Sequence, residues 1–189
     1  MAVMKIFDPR FYGNLNSSNF DVTGKLITID IESSGISKNG YPIEVGWYSK
    51  DSTGSFLIKP EPDWLENGFW CKYAESHVHG ITKKMLLRKG IDVVSAANML
   101  NEVLGDSVVV CDVVEFDGTW LTQLFAKANV NPSFKLIGHI ELIDFKKRTG
   151  CHLIKSFSEL QNTVNKTHRA QDDAKQLHEN MLKVTEHIA

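Results

Sequence analysis

Three short apolar, β-branched segments crowded into the first third of the chain, followed by helical and strand patterns in alternation, limit this sequence more than any other feature. Leu26-Ile27-Thr28-Ile29-Asp30-Ile31, Ile43 to Tyr48 and Ser55 to Ile58 are separated by turn residues such as Asp51-Ser52-Thr53-Gly54, and together they predict an antiparallel meander. A Pro-containing stretch, Lys59 to Cys71, leads to helices expected at about 82–88 and 92–104, after which Val108-Val109-Val110-Cys111 reads as a buried strand. A helix from about Asp117 to Ala128, a strand at Phe134 to Ile137, a helix near Glu141 to Arg148 and a last helix from about Ala170 to His187 complete the order. The expected fold is α/β: a mixed five-stranded sheet, meander plus parallel strands, flanked by helices.

A chain of 189 residues buries roughly 70% of its unfolded surface, enough for one ordinary core. Residues 25–189 read as that domain. Residues 1–24, with Phe7, Phe11, Tyr12 and Phe20 around a polar Gly13-Asn14-Leu15-Asn16-Ser17-Ser18-Asn19 loop, show no sustained period and read as an arm laid on it. The formal net charge of -2 gives no global basic field for a polyanion, although a metal-loaded acidic site holds one without such help. Cys71, Cys111 and Cys151 are odd in number and lack a C-x-x-C spacing, which argues against a disulfide framework and a zinc site. No apolar run approaches the ~20 residues of a membrane span, and Met1-Ala2-Val3-Met4-Lys5 lacks the layout of a secretory signal. The expectation is a cytoplasmic protein with no membrane partner.

Acidic residues fall at the ends of these elements. Asp30 and Glu32, two apart on a strand, point to one face with their carboxylates about 7 Å apart, while Ile29 and Ile31 point to the other. Like charges beside a buried sheet repel and raise each other's pKa unless a cation sits between them, and oxygen ligands favour magnesium or manganese. Taken alone, the pair also fits an exposed strand end before Ser33-Ser34-Gly35. Asp117 of Glu115-Phe116-Asp117 opens a helix, where a capping aspartate is ordinary. It nevertheless lies on the apolar face of Leu121 and Leu124. In His168-Arg169-Ala170-Gln171-Asp172-Asp173-Ala174, the stripe Ala170, Ala174, Leu177, Met181, Val184 and Ile188 docks the last helix on the sheet. Asp173 falls roughly 60° from the centre of that stripe and Asp172 roughly 160° away, so Asp173 borders the core and Asp172 faces water.

From Lys25 onward the chain resembles the DEDDh 3'-5' exonucleases of the ribonuclease-H-like superfamily, the group of the proofreading subunits, ribonuclease T and oligoribonuclease. Asp30-Ile31-Glu32-Ser33-Ser34-Gly35 is similar to their first motif, Glu115-Phe116-Asp117 to the second and His168-Arg169-Ala170-Gln171-Asp172-Asp173-Ala174 to the third. His79-Gly80-Ile81-Thr82 also resembles a common segment, whereas Asp112-Val113-Val114 stands where His-Asn-Ala often precedes the Phe-Asp. The resemblance implies a ribonuclease-H-like sheet and two magnesium or manganese ions. Asp30, Glu32, Asp117 and Asp173 would be the metal ligands, with Asp30 bridging and His168 taking the proton from water. The implied substrates are single-stranded DNA or RNA 3' ends, hydrolysed to nucleoside 5'-monophosphates. A phosphodiesterase for short oligonucleotides or nucleotide esters, and a non-catalytic nucleic-acid-binding module of the same fold, remain alternatives. Trp64, Trp70 and Tyr73 are open between base stacking and pinning their loop to the core.

Overall fold

The computed structural model describes residues 26–148 and 167–184. The arm expected at 1–24 and the end of the last helix beyond residue 184 lie outside them. Strands β1 (Ile27–Ser33), β2 (Pro42–Tyr48) and β3 (Thr53–Leu57) form the meander, and β4 (Val108–Cys111) and β5 (Lys135–Gly138) extend the sheet on the far side of β1. The order is β3-β2-β1-β4-β5, with β1–β2 and β2–β3 antiparallel and β1–β4 and β4–β5 parallel. This is the expected mixed five-stranded sheet.

Alternation along the strands assigns the two layers. Ile29, Ile31, Val109 and Cys111 pack with α4 (Val93–Leu104) and α5 (Val114–Ala128). On the other face Val110 and Ile137 meet Leu142 and Ile143 of α6 (His139–Arg148) and Leu177, Met181 and Val184 of α7 (Ala170–Val184). A smaller cluster of Tyr41, Ile43, Ile81 and Leu86 lies under α1 (Pro62–Asn67), α2 (Lys72–His77) and α3 (Lys83–Lys89).

Helix starts follow local chemistry. Thr82 Oγ1 accepts the Met85 N–H to begin α3, and Asp92 accepts those of Val94 and Ser95 to begin α4. The stretch Lys59 to Cys71, expected as a Pro-containing connection, instead holds α1, and α2 follows directly after it, where no element was expected. Each is only six residues, too short to display a helical period, although Pro62 stands at the first turn where its missing N–H is harmless. Helix α5 begins at Val114, not at Asp117. No side chain caps it at Val113; the Asp117 carboxylate reaches back from the first turn to accept the Val113 N–H at 3.2 Å. Because β1, β4 and β5 are parallel, their carboxyl ends open at one edge, where sheets of this kind present ligand sites.

Candidate active site

The floor of the site is the face that β1 and β2 turn toward α7. Thr28 Oγ1 donates to the Ala174 carbonyl of α7 at 2.7 Å, so Asp30 and Glu32, two and four residues on, lie on that same face. Their antiparallel partners are Gly46 and Glu44, and Tyr48 lies opposite Thr28. Tyr48 meets the His178 ring of α7 edge-on, with centroids 5.0 Å apart. Gly46 permits the closest approach, since a Cβ there would stand 2.2 Å from the Ala170 carbonyl carbon. Pairing becomes irregular between Glu32 and Ser33, a bulge of the type that re-aims a strand end.

Three of the expected residues come together at the mouth of α7. Glu32, His168 and Asp173 each place a ligand atom within 4.8 Å of the others. Asp173 is 7% exposed whereas Asp172 is exposed, which is the orientation that the apolar stripe demands. Thr167 Oγ1 lies 3.3 Å from Asp172 Oδ2 and 3.5 Å from Asp173 Oδ1. Asp30, half-buried on the same floor, is outside this close group, as is Asp117.

Asp117 approaches from the other layer. The backbone of Ile31, the residue between Asp30 and Glu32, is among the groups that act on its carboxyl, so α5 brings a fourth carboxylate near the end of β1. Burial pushes its pKa up to about 7, the Asp112 charge adds to the rise, and bonds from Val113, Cys111 and Ile31 offset it only in part. Burial, with the negative charge of Asp117 beside it, also drives the Cys111 thiol well above its ordinary value. That leaves Cys111 a neutral neighbour and the donor set one of oxygens and an imidazole. Asp112, at the end of β4, receives His139, whose Nδ1 lies 2.7 Å from its carbonyl and 3.2 Å from its carboxylate.

Four carboxylates gathered at one strand end, two of them below 10% exposure, fit hard divalent cations better than they fit an empty cavity. Glu32, Asp173 and His168 are close enough together to hold such an ion, and Asp30 and Asp117 lie on or beside the same strand.

One residue of this neighbourhood was invisible to sequence reasoning. Glu44, 1% exposed, accepts two bonds from the Arg169 guanidinium and one from the Ala170 N–H. Its only sequence signal was a lone charge between the apolar residues Ile43 and Val45. Of the aromatics left open, Trp64 stacks on buried Tyr41 at 5.4 Å and Trp70 tilts against the same ring, so both pin their segment. Tyr73 is exposed and stacks on His77. His79 is buried with Nδ1 accepting the Ile81 N–H, and desolvation lowers its pKa.

Sheet order and layer arrangement are those of a ribonuclease-H-like fold. No family model and no curated protein matches the chain. Solved structures do match. One is the zinc-ion-bound form of E. coli exonuclease I with single-stranded DNA, at a TM-score of 0.61 and 14% identity over 85% of this chain and 40% of that one. A second is E. coli exonuclease I with a dA16 oligonucleotide, at a TM-score of 0.61 and 13% identity over 86% and 41%. A third is a moderately thermophilic exonuclease I from Methylocaldum szegediense, at a TM-score of 0.60 and 14% identity over 84% and 40%. The chain thus spans about 40% of the length of these proteins, and the likeness is one of fold.

Proposed function

We propose that the protein is a metal-dependent 3'-5' exonuclease that acts on single-stranded DNA or RNA ends and releases nucleoside 5'-monophosphates. The observation that carries this reading is the meeting of Glu32, His168 and Asp173 within 4.8 Å, beside Asp30 and Asp117, in a fold shared with exonuclease I. Asp30, Glu32, Asp117 and Asp173 are the proposed ligands of two magnesium or manganese ions. Bound there, such cations would acidify the attacking water and neutralise charge on the leaving 3'-oxygen. The side chains supply the remainder. Buried Asp117 and Asp173 are fixed by the helices that carry them, which keeps the ligand geometry from relaxing. His168 stands where it can take the water's proton, work suited to an imidazole because its charge changes near neutrality. A cytoplasmic location accords with the free thiols of Cys71 and Cys111, and among the described residues no helix is long and apolar enough to cross a membrane.

End-labelled single-stranded DNA, RNA and dinucleotides incubated with and without magnesium test the reading. A 5'-labelled strand should shorten one nucleotide at a time only with metal, and a 3' label should leave as a mononucleotide. No metal-dependent shortening of any substrate overturns it, and cleavage of dinucleotides alone points to the short-oligonucleotide phosphodiesterase. His168→Ala should lower turnover by roughly 10²- to 10⁴-fold, the usual share of a general base, with little change in metal affinity by calorimetry. A collapse of that affinity instead makes His168 a ligand.

A further inference from the structure

His168 has φ 51, a left-handed conformation that a residue with a Cβ keeps only where its surroundings impose it. The next residue supplies the constraint. Arg169 donates from Nε to Glu44 Oε2 at 3.0 Å and from Nη2 to Glu44 Oε1 at 2.5 Å, the two-pronged geometry that fixes a guanidinium in orientation as well as position. Ala170 N–H, one of the free amides at the start of α7, donates to the same carboxylate at 3.1 Å. One buried side chain on β2 therefore grips two consecutive residues immediately after His168.

The register makes the grip specific to the site. Glu44 lies directly across from Glu32, and like charges facing each other in an antiparallel pair repel. Arg169 is within the field of both and offsets that repulsion. Two residues along β2, Gly46 leaves room for the Ala170 and Gln171 backbone against the strand. Glu44 thus measures the distance between β1, which carries Glu32, and the turn that carries His168 and Asp173.

We infer that Glu44 and Arg169 are positioning residues whose two-pronged pair holds His168 in its left-handed conformation and so sets His168 and Asp173 against Glu32. What that position serves rests on the nuclease reading; the position itself does not. Arg169→Lys keeps the charge and loses the fork. The double variant Glu44→Gln with Arg169→Met removes both charges together and leaves no orphan ion.

In both variants the three-bond amide coupling of His168, read by NMR on metal-free protein, should move away from its wild-type value. Manganese affinity by calorimetry and kcat should each fall about 10- to 100-fold, as for other groups that orient metal ligands, with KM for an oligonucleotide changed less than about threefold. Circular dichroism should show a folded, cooperatively melting chain. A His168 coupling unchanged in Arg169→Lys, or wild-type kcat and manganese affinity in a folded double variant, overturns the inference. If the double variant does not fold, Arg169→Lys decides. If the wild type neither cleaves nucleic acid nor takes up manganese, the nuclease reading fails, while the coupling still decides whether the pair positions His168.

Discussion

Burial decides what Asp117 can be. Its carboxyl is raised from 3.8 to about 7 because folding strips water from the charged form and Asp112 adds repulsion. Between about pH 4 and 7 the folded metal-free chain therefore binds a proton that the unfolded chain does not. The stability this contributes is fully present below the unfolded value and is lost as pH rises through about 7. Asp117→Asn, a neutral replacement of similar shape, should gain on the wild type as pH rises; urea titrations at pH 5 and pH 8 without metal should show the gap widening. A constant gap means that Asp117 is ionised throughout. Asp172 and Asp173 provide the second test at this scale. Asp172→Asn should stay within about 0.5 kcal/mol of wild type and keep activity of the same order, as an exposed change does, and Asp173→Asn should lose most of the rate. The reverse ranking in one magnesium titration would show that the wrong aspartate had been assigned. Strand and helix periods place such residues on faces, which is why the orientation of Asp173 was legible. The partner of a buried charge has no local period. Glu44 and Arg169 are 125 positions apart, and nothing in either neighbourhood announces the other.

At the scale of elements, the long periodic segments were legible to within a few residues, and each failure has its own physical cause. Helices α1 and α2 have six residues each, less than two turns, so no stripe can develop. The start of α5 was placed at Asp117 because aspartate favours helix starts, whereas here it sits inside the first turn and bonds back to Val113. The docking of α7 on β2 was readable as an apolar face but not as a close approach, because that depends on what Gly46 lacks. Gly46→Ala would put a methyl group 2.2 Å from the Ala170 carbonyl carbon, and backbone is a poor partner to displace. The expected loss is about 1–3 kcal/mol of stability, typical of overpacking, with activity falling further than stability because the mouth of α7 shifts. Thermal melts and turnover on the same samples check this. An alanine variant that keeps both would mean that the strand bends freely at this point.

For the whole molecule, the proposed metal site would link stability to cation binding through the acidic edge. A cation that binds the folded chain alone stabilises it by about 2.7 kcal/mol at a hundredfold excess over its dissociation constant. Magnesium should raise the melting temperature, and the rise should grow with pH through about 7 because the Asp117 proton competes with the metal. An equal rise in Asp173→Asn would place the ion elsewhere.

The bond from Thr28 to Ala174 joins positions 146 apart, and Glu32 likewise waits for a turn far along the chain. Contacts of such separation form late in folding, since a long loop must close before they offset its entropy. A chain synthesised from its N-terminus can lay down β1 to β5 with the first acids in place while remaining chemically silent. The proposed reactive set is complete only when residues 167–173, which bring His168 and Asp173 to Glu32, dock. A nuclease assembled in this order would have no partly built form able to cut the nucleic acids around it.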